Sequence, residues 1–285
     1  MRNILSLQID NLVFDGTNYI IEKIDGLEMP LTRLPRFNLP GASGAFISNA
    51  LYGERPIKIK GYVNAPDNSR LTYLTNRSNL VNNITYKRDS NGNLVPQLMT
   101  ITLENGTVLT TEVYQDTVLQ FGYSPDQDVF EEFQMTMIAP DPFLYSTSVI
   151  STTISLPIGG GTAIPTAIPI SIAPSSGGSA TITNPGSQLV SPLITLYAPL
   201  TNPYISNNTV GSFMKLNHTL SVGDLPVIIN CAAQTIYQGA NNITGIQSQD
   251  STFWQITSGV NNLGFSATAG SGTVVVSFSP TFLGI

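Results

Sequence analysis

Short apolar stretches alternate with turn residues along the second half of the chain, at intervals of about ten positions. The stretches that are richest in β-branched and aromatic residues, which favour strands, are residues 180–183, 193–197, 227–230, 253–256 and 273–278. Many short strands at this spacing are typical of a β-sandwich or barrel. The second half is therefore predicted to consist of strands throughout.

The first half combines strand patterns with one predicted short helix. Asp67, Asn68 and Ser69 are candidate N-cap residues. The apolar residues that follow them at roughly helical spacing are Leu71, Leu74, Leu80, Val81 and Ile84. Asn-Gly pairs at residues 91–92 and 105–106 each lie between apolar segments and readily accept the positive φ of a tight turn, so each predicts a β-hairpin.

Charge divides the chain into two parts. Residues 1–145 hold 11 of the 12 Lys and Arg and 16 of the 18 Asp and Glu, whereas residues 146–285 hold one base and two acids. Such a difference predicts two domains, 1–145 and 146–285. The boundary is expected near Pro140-Asp141-Pro142, where two prolines interrupt a continuing element, and the glycines at 159–161 are read as a loop.

Composition excludes several classes of protein. Only 11% of residues are charged, against roughly 25% in an ordinary soluble domain, while 41% are hydrophobic. A net charge of −6 argues against nucleic-acid binding, which depends on clustered Lys and Arg. A single cysteine, Cys231, excludes an internal disulfide and a multi-cysteine metal site. No apolar run approaches the ~18 residues of a membrane span, so we expect no membrane insertion and synthesis in a cytoplasm.

Candidate catalytic residues are few. His218 is the one histidine; Asp224 is six residues away, but the G-x-S-x-G motif of a hydrolase is absent. Glycoside hydrolysis needs two carboxylates across a cleft, and the second domain offers only Asp224 and Asp250. The glycine-rich loop lacks the lysine of a phosphate-binding motif. We therefore expect no catalytic residue and no enzymatic activity.

Acidic residues are densest at Asp126, Asp128, Glu131 and Glu132. A calcium loop would require a central glycine between alternating oxygen ligands, and none is present there. The cluster is read as a solvated loop before a strand, or as an intersubunit contact. The sequence thus predicts no metal site, no cofactor and no cofactor-binding residues.

Carbohydrate binding is the main functional alternative from the residues alone. Trp254 with Asn241, Asn242 and Gln247 has the composition of a lectin site, which uses an aromatic platform and amide donors. A tryptophan in a strand pattern is more often part of the core, and this is the prediction for Trp254.

The order of several motifs resembles that of siphophage distal tail (Dit) proteins. The fragments that carry the resemblance are residues 137–146 (MIAPDPFLYS), 163–165 (AIP), 168–170 (IPI), 182–186 (ITNPG), 202–207 (NPYISN) with 209–211 (TVG), 223–224 (GD) with 228–231 (IINC), 251–256 (STFWQI) with 259–261 (GVN), and 282–285 (FLGI). Each fragment alone is weak evidence for the resemblance, but the common order of the fragments over residues 137–285 is a strong signal of it. The first half matches only in outline.

The resemblance implies a fold and a function. It implies an α+β belt domain over 1–145 with one short helix, which forms a hexameric ring, and a galectin-like β-sandwich over 146–285. The implied protein is a structural hub at the distal end of a long non-contractile phage tail, assembled in the host cytoplasm. Its expected partners are other copies of itself, the tail tube protein and a tail-tip protein, with receptor-binding proteins as further candidates. The alternative function is a carbohydrate-binding adhesin or receptor-binding module.

Overall fold

The computed structural model describes residues 4–38, 40–41, 43–122, 129–156 and 178–285. These residues form two compact units: unit 1 comprises residues 1–148 with 282–285, and unit 2 comprises residues 149–281. The sequence features that lie outside the described residues are the acidic Asp126 and Asp128, the glycine loop 159–161, and the motifs at 163–165 and 168–170. Within the described ranges, the helices are too short or too polar to cross a membrane.

Unit 1 is built on one antiparallel sheet. Its strands and helix are β1 (Ile4–Ile9), β2 (Leu12–Phe14), β3 (Tyr19–Asp25), β4 (Thr32–Arg33), β5 (Arg36–Asn38), β6 (Ala45–Ile47), β7 (Leu51–Tyr52), β8 (Arg55–Asn64), α1 (Arg70–Ile84), β9 (Lys87–Arg88), β10 (Leu94–Val95), β11 (Gln97–Leu103), β12 (Val108–Gln115), β13 (Gln120–Phe121), β14 (Phe130–Ala139) and β15 (Leu144–Ser146). The sheet runs in the order β2-β1-β11-β12-β14-β8-β3, with β13 added beside β14 and β15 beside β12. Strands β8 and β14 pair over ten residues, and alternate residues of both point into the core.

The predicted helix is confirmed, but its buried face differs from the one that the apolar residues indicated. The buried side chains are Tyr73, Asn76, Leu80 and Ile84, which follow helical spacing. Leu71 and Leu74 are exposed instead. The Asn76 side chain donates to the backbone oxygen of Asn64, so this polar residue is satisfied in a position that hydrophobicity alone would give to an apolar one.

Both Asn-Gly hairpins are confirmed. Gly92 lies at φ +83° between β9 and β10, and Gly106 lies at φ +82° between β11 and β12. An L-residue with a side chain would be strained at these angles, which is why the Asn-Gly pairs identify the turns from sequence.

Unit 2 contains strands and a single turn of 3₁₀-helix among its described residues. The elements are β16 (Ile150–Ser155), β17 (Ser179–Asn184), β18 (Leu193–Tyr197), β19 (Leu200–Thr201), β20 (Tyr204–Asn207), β21 (Ser212–Lys215), β22 (Thr219–Leu220), β23 (Val227–Asn230), β24 (Thr235–Gln238), β25 (Asn241–Asn242), the 3₁₀ turn Thr244–Ile246, β26 (Gly259–Ser266), β27 (Ala269–Gly270) and β28 (Thr273–Phe278). The final strand, β29 (Thr281–Phe282), holds the last residue of unit 2 and the first of the terminal segment of unit 1.

Two main sheets of unit 2 share one hydrophobic core. One has the order β16-β28-β18-β23-β24-β25 and the other β17-β26-β20-β21; a small sheet β22-β19-β27 lies beside them. Buried residues of both main sheets, such as Val276 and Phe265, belong to the same cluster. The prediction that the chain is mainly β with one α-helix is therefore confirmed.

One detail of the strand prediction is wrong. Residues 253–256 are not a strand but an irregular segment, in which Ile256 forms an isolated β-bridge with Val190. Gly223 and Asp224, from one of the recognised motifs, form a tight turn in which the Asp224 amide donates to the Ser221 carbonyl; the flanking strands β22 and β23 belong to different sheets.

The division of the chain also differs from the expected one. The two units meet between residues 148 and 149, and the prolines at 140–142 lie inside unit 1 between β14 and β15. The terminal residues 282–285, expected in the second domain, belong to unit 1, where Phe282 packs against the core. A boundary based on charge could not reveal this return of the chain, because the last four residues carry no charge.

The burial of Trp254 generates a stability prediction. Its side chain is 3% exposed inside the core of unit 2, so Trp254→Ala should lower the free energy of unfolding by about 3–5 kcal/mol. Trp254→Phe should cost clearly less, because the indole nitrogen has no hydrogen-bond partner among the described residues and no such bond is lost. Urea unfolding followed by circular dichroism measures both. Equal stability of the Ala variant and the wild type would place Trp254 outside the core.

Candidate functional site

A long hairpin between β3 and β8 is the most exposed apolar feature of unit 1. We call residues 29–53 the arm; in it β4 pairs with β7, and β5 pairs with β6. The exposed large apolar side chains of the arm are Met29, Leu31, Leu34, Phe37, Phe46, Ile47 and Leu51. Strands of two or three residues without a covered face bury too little apolar surface to be stable alone. Several exposed apolar side chains within one short segment are typical of an interaction site.

The base of the arm is fixed by a buried arginine. Arg55 begins β8 and has no solvent-exposed surface. Its Nη1 donates to the carbonyl oxygens of Gly26 (2.8 Å) and Glu28 (2.6 Å), its Nε donates to that of Pro142 (2.8 Å), and its Nη2 donates to that of Leu283. Burial lowers the pKa of Arg55 from its ordinary value, and the nearby Glu28 carboxylate opposes this. The guanidinium thus satisfies backbone acceptors from three distant segments of unit 1.

The chain end adds to the same junction. The Ile285 amide donates to the Leu27 carbonyl at 3.1 Å. Gly284 lies so close to Glu28 that an added Cβ would be 2.5 Å from the Glu28 carbonyl oxygen, which excludes any larger residue. The closing motif at 282–285, which resembled that of the tail proteins, is therefore a structural clamp on the arm's base.

A second cluster attaches α1 to the sheet. The Glu131 carboxylate accepts hydrogen bonds from the Tyr73 hydroxyl (2.5 Å) and Arg77 Nε (2.9 Å). Burial, and then the hydrogen bond to Glu131, raise the pKa of Tyr73 to about 12. Arg77 also lies over the Phe121 ring at 4.1 Å, a cation–π contact. Glu131, expected in a solvated loop, instead joins the helix to β14.

Glu132, its neighbour in the acidic cluster, has a similar role. It pairs with Lys60 at 3.3 Å, and Lys60 also pairs with Glu22 at 2.9 Å, across β14, β8 and β3. Asp126 and Asp128 lie outside the described residues. Within the described part of the chain, no three His, Cys, Asp or Glu side chains converge as metal ligands would.

The residues considered for catalysis lie in unit 2 and have no catalytic geometry. His218 is half-buried, and among the described residues its Nε2 has no hydrogen-bond partner. The Asp224 carboxylate accepts a hydrogen bond from the Ser221 amide at 2.7 Å, within the turn that contains both residues. Asp250 is exposed and lines a shallow groove with Lys215 and Tyr204.

Trp254 does not form the aromatic platform that a lectin site would need. With 3% of its surface exposed, its ring packs in the core, whereas Asn241 and Asn242 are exposed on β25. Trp254 and Phe253 line a groove of about 510 Å³ together with Cys231, the sole cysteine of the chain. Burial raises the pKa of the Cys231 thiol from 9.0 to about 12.

Buried asparagines explain three of the recognised motifs. Asn207 and Asn261 have no exposed surface, and they hold the irregular segment that contains Trp254. Asn207 Nδ2 donates to the Gln255 carbonyl at 3.1 Å, and the Asn261 side chain bonds both the amide and the carbonyl of Thr257. Asn184 lies in the TNPG motif, residues 183–186, and its side-chain oxygen accepts a hydrogen bond from the Gly186 amide at 2.9 Å. These residues are structural, since their amides replace strand hydrogen bonds.

Sequence reasoning did not identify the arm or Arg55. A usable signal for the arm was present: 25 consecutive residues with many apolar side chains, yet with Arg33 and Arg36 as the only charges. No sequence pattern marks Arg55, because its four acceptors are backbone oxygens of residues far apart in the chain.

The comparisons with known proteins agree with this architecture. Residues 186–282 match the family described as "Siphovirus-type tail component, C-terminal domain". No curated protein matches the chain. The fold is similar to that of the SPP1 Dit protein, whose crystal structure is described as a paradigm of the hub adsorption apparatus in phages that infect Gram-positive bacteria. That match has a TM-score of 0.68 at 12% identity and covers 97% of this chain and 98% of that one.

Chains of the phage P2 baseplate in its activated conformation also match. The structure with Ca gives a TM-score of 0.46 at 10% identity, covering 98% of each chain. The structure with Sr gives 0.44 at 10% identity, covering 97% of this chain and 98% of that one.

The buried Arg55 generates a prediction for unit 1. Arg55→Met keeps much of the side-chain volume but leaves four backbone acceptors without their donor, so the free energy of unfolding should fall by about 3–5 kcal/mol. Lys58→Met, at an exposed lysine of the same strand β8, is the control and should change it by about 0.5 kcal/mol or less. Urea unfolding followed by circular dichroism compares them; equal effects would show that the buried hydrogen bonds do not stabilise unit 1.

Cys231 provides a second test. With its pKa at about 12 instead of 9.0, the thiolate fraction at mildly alkaline pH is roughly a thousandfold lower than for a free cysteine. Alkylation by iodoacetamide, followed by mass spectrometry, should therefore be slower by about that factor in the native protein than in denaturant. Equal rates in both conditions would show that the thiol is accessible and its pKa ordinary.

Proposed function

We propose, from the match of residues 186–282 to the siphovirus-type tail component family, that the protein is the distal tail hub of a long non-contractile phage tail. One observation carries the proposal: the fold of SPP1 Dit, described as a hub protein, matches 97% of the chain and thus both units. The family match alone, over residues 186–282, leaves almost all of unit 1 uncovered.

The proposed role is structural. Unit 1 forms a hexameric ring, and the hub joins the tail tube protein to the tail-tip and receptor-binding proteins. Unit 2 is a galectin-like sandwich that decorates the ring. The protein works in the virion at the distal end of the tail after assembly in the host cytoplasm, without nucleic acid or membrane as a partner. We propose no catalytic activity for it, and no cofactor or metal.

The surface of unit 1 supports an assembly role. Seven large apolar side chains are exposed among the described residues of the arm, and α1 exposes Leu71 and Leu74 on its outer face. Apolar surface outside the core is typical of a protein–protein interface. Unit 1 also holds nearly all of the charge, which gives register and specificity to a repeated contact.

The alternative, a carbohydrate-binding adhesin, has less support. It depended on an aromatic platform at Trp254, and that ring lies in the core. Asn241 and Asn242 of the same set are exposed on β25, but without the Trp254 ring the set lacks the aromatic platform on which this alternative depended.

Ring formation is the decisive test. Purified full-length protein should form particles of six times 30.5 kDa, about 183 kDa, and negative-stain images should show rings. Size-exclusion chromatography with light scattering measures the mass, and residues 149–281 alone should be monomeric. An antibody to the protein should label the distal end of the phage tail. A full-length monomer over a wide concentration range, alone and with tail partners, would contradict the proposal.

A further inference from the structure

Two phenylalanines occupy directly opposite positions on paired strands of the arm. Phe37 of β5 pairs directly with Phe46 of β6, and directly opposite residues of two paired strands point to the same face. Their side chains are 60% and 63% exposed. No core of the arm's own covers them, so their burial requires another surface.

A cleft of matching chemistry lies elsewhere on unit 1. It opens between the edge strands of the sheet, where β2 and its neighbour β1 approach β3, and its apolar wall includes Phe14, Ile20, Ile21 and Ile24. Its volume is about 180 Å³. An apolar cavity of about 150 Å³ accepts benzene, so this cleft has room for one phenyl ring.

The charges of the two surfaces are of opposite sign. The arm carries Arg33 and Arg36 and no acid, whereas the cleft wall contains Asp15. Asp15 accepts the Thr17 amide at 2.9 Å, which lowers its pKa and keeps it ionised. Among the described residues, none forms an ion pair with these three side chains. Opposite charges around an apolar contact favour its formation and fix its orientation.

We propose that the arm of one copy docks on the β1–β2–β3 cleft of a second copy of this chain, with a ring of the Phe37–Phe46 pair entering the cleft. The inference rests on the proposed function, because it names the contact by which copies of the hub join. The phenylalanines are exposed in the single chain, so its own cleft does not bury them. Arm and cleft are different surfaces of unit 1, and such a heterologous contact forms a closed ring when it is repeated by rotation.

A double variant of the full-length chain tests the arm. Phe37→Ser with Phe46→Ser should reduce the particle mass from that of the ring to 30.5 kDa, a sixfold drop, in light scattering at concentrations where the wild type is assembled. Because both side chains are exposed, the monomer should keep the wild-type circular dichroism spectrum. Val222→Ser with Leu225→Ser, at exposed positions of unit 2, is the matched control and should leave the ring intact.

Cross-linking tests the cleft independently. In a Cys231→Ser background, Phe37→Cys combined with Ile21→Cys should give a ladder of covalent multimers with a short bismaleimide, whereas either cysteine alone should give at most dimers. Charge reversal completes the test: Asp15→Lys should weaken assembly at low salt, and adding Arg33→Asp with Arg36→Asp should restore it.

The outcomes separate this inference from the proposed function. A wild-type monomer would contradict both. Rings that persist in the phenylalanine double variant, or that give no ladder with the cysteine pair, would overturn the arm–cleft contact and leave the hub proposal standing. A variant that keeps its ring but no longer binds purified tail tube protein would assign the arm to that partner and would also overturn the contact between copies.

Discussion

The guanidinium of Arg55 determines how unit 1 is closed. A buried cation is unfavourable unless its donors are satisfied, and here the acceptors are backbone oxygens at Gly26, Glu28, Pro142 and Leu283. The arm's base, the proline junction and the chain end therefore have to meet around one side chain. This requirement explains why the last four residues return to unit 1 and why a glycine stands at position 284.

In unit 2, buried asparagine side chains likewise satisfy backbone groups that no strand partner reaches. The segment that carries Trp254 cannot join a sheet ladder, yet its backbone lies against the core. Asn207 and Asn261 supply the missing hydrogen bonds from side chains without exposed surface. These two asparagines thus stabilise the core of unit 2, because their buried amides are engaged with backbone groups.

The residues that stabilise each unit differ from the exposed residues that are proposed to contact other chains. Internal contacts close the cores of both units, and in unit 1 the arm and the outer face of α1 carry large apolar side chains that these cores leave exposed. Arg55 fixes the base of the arm, whereas Phe37 and Phe46 further along it stay exposed, so the proposed contact between copies would cover side chains that the single chain leaves uncovered.

The sequence by itself determined the features that depend on local rules. Alternation and turn residues predicted most strands, both Asn-Gly hairpins and the helix, and the ordered motifs indicated a resemblance to tail proteins that the family match of residues 186–282 supports. Local rules failed where partners are distant. The buried face of α1 includes Asn76 because Asn64 satisfies it, and residues 253–256 look like a strand but find no ladder. The membership of residues 282–285 in unit 1, the role of Arg55 and the exposure of the arm were decided only by the tertiary structure, because each depends on which backbone groups and apolar faces remain unpaired once the sheets have formed.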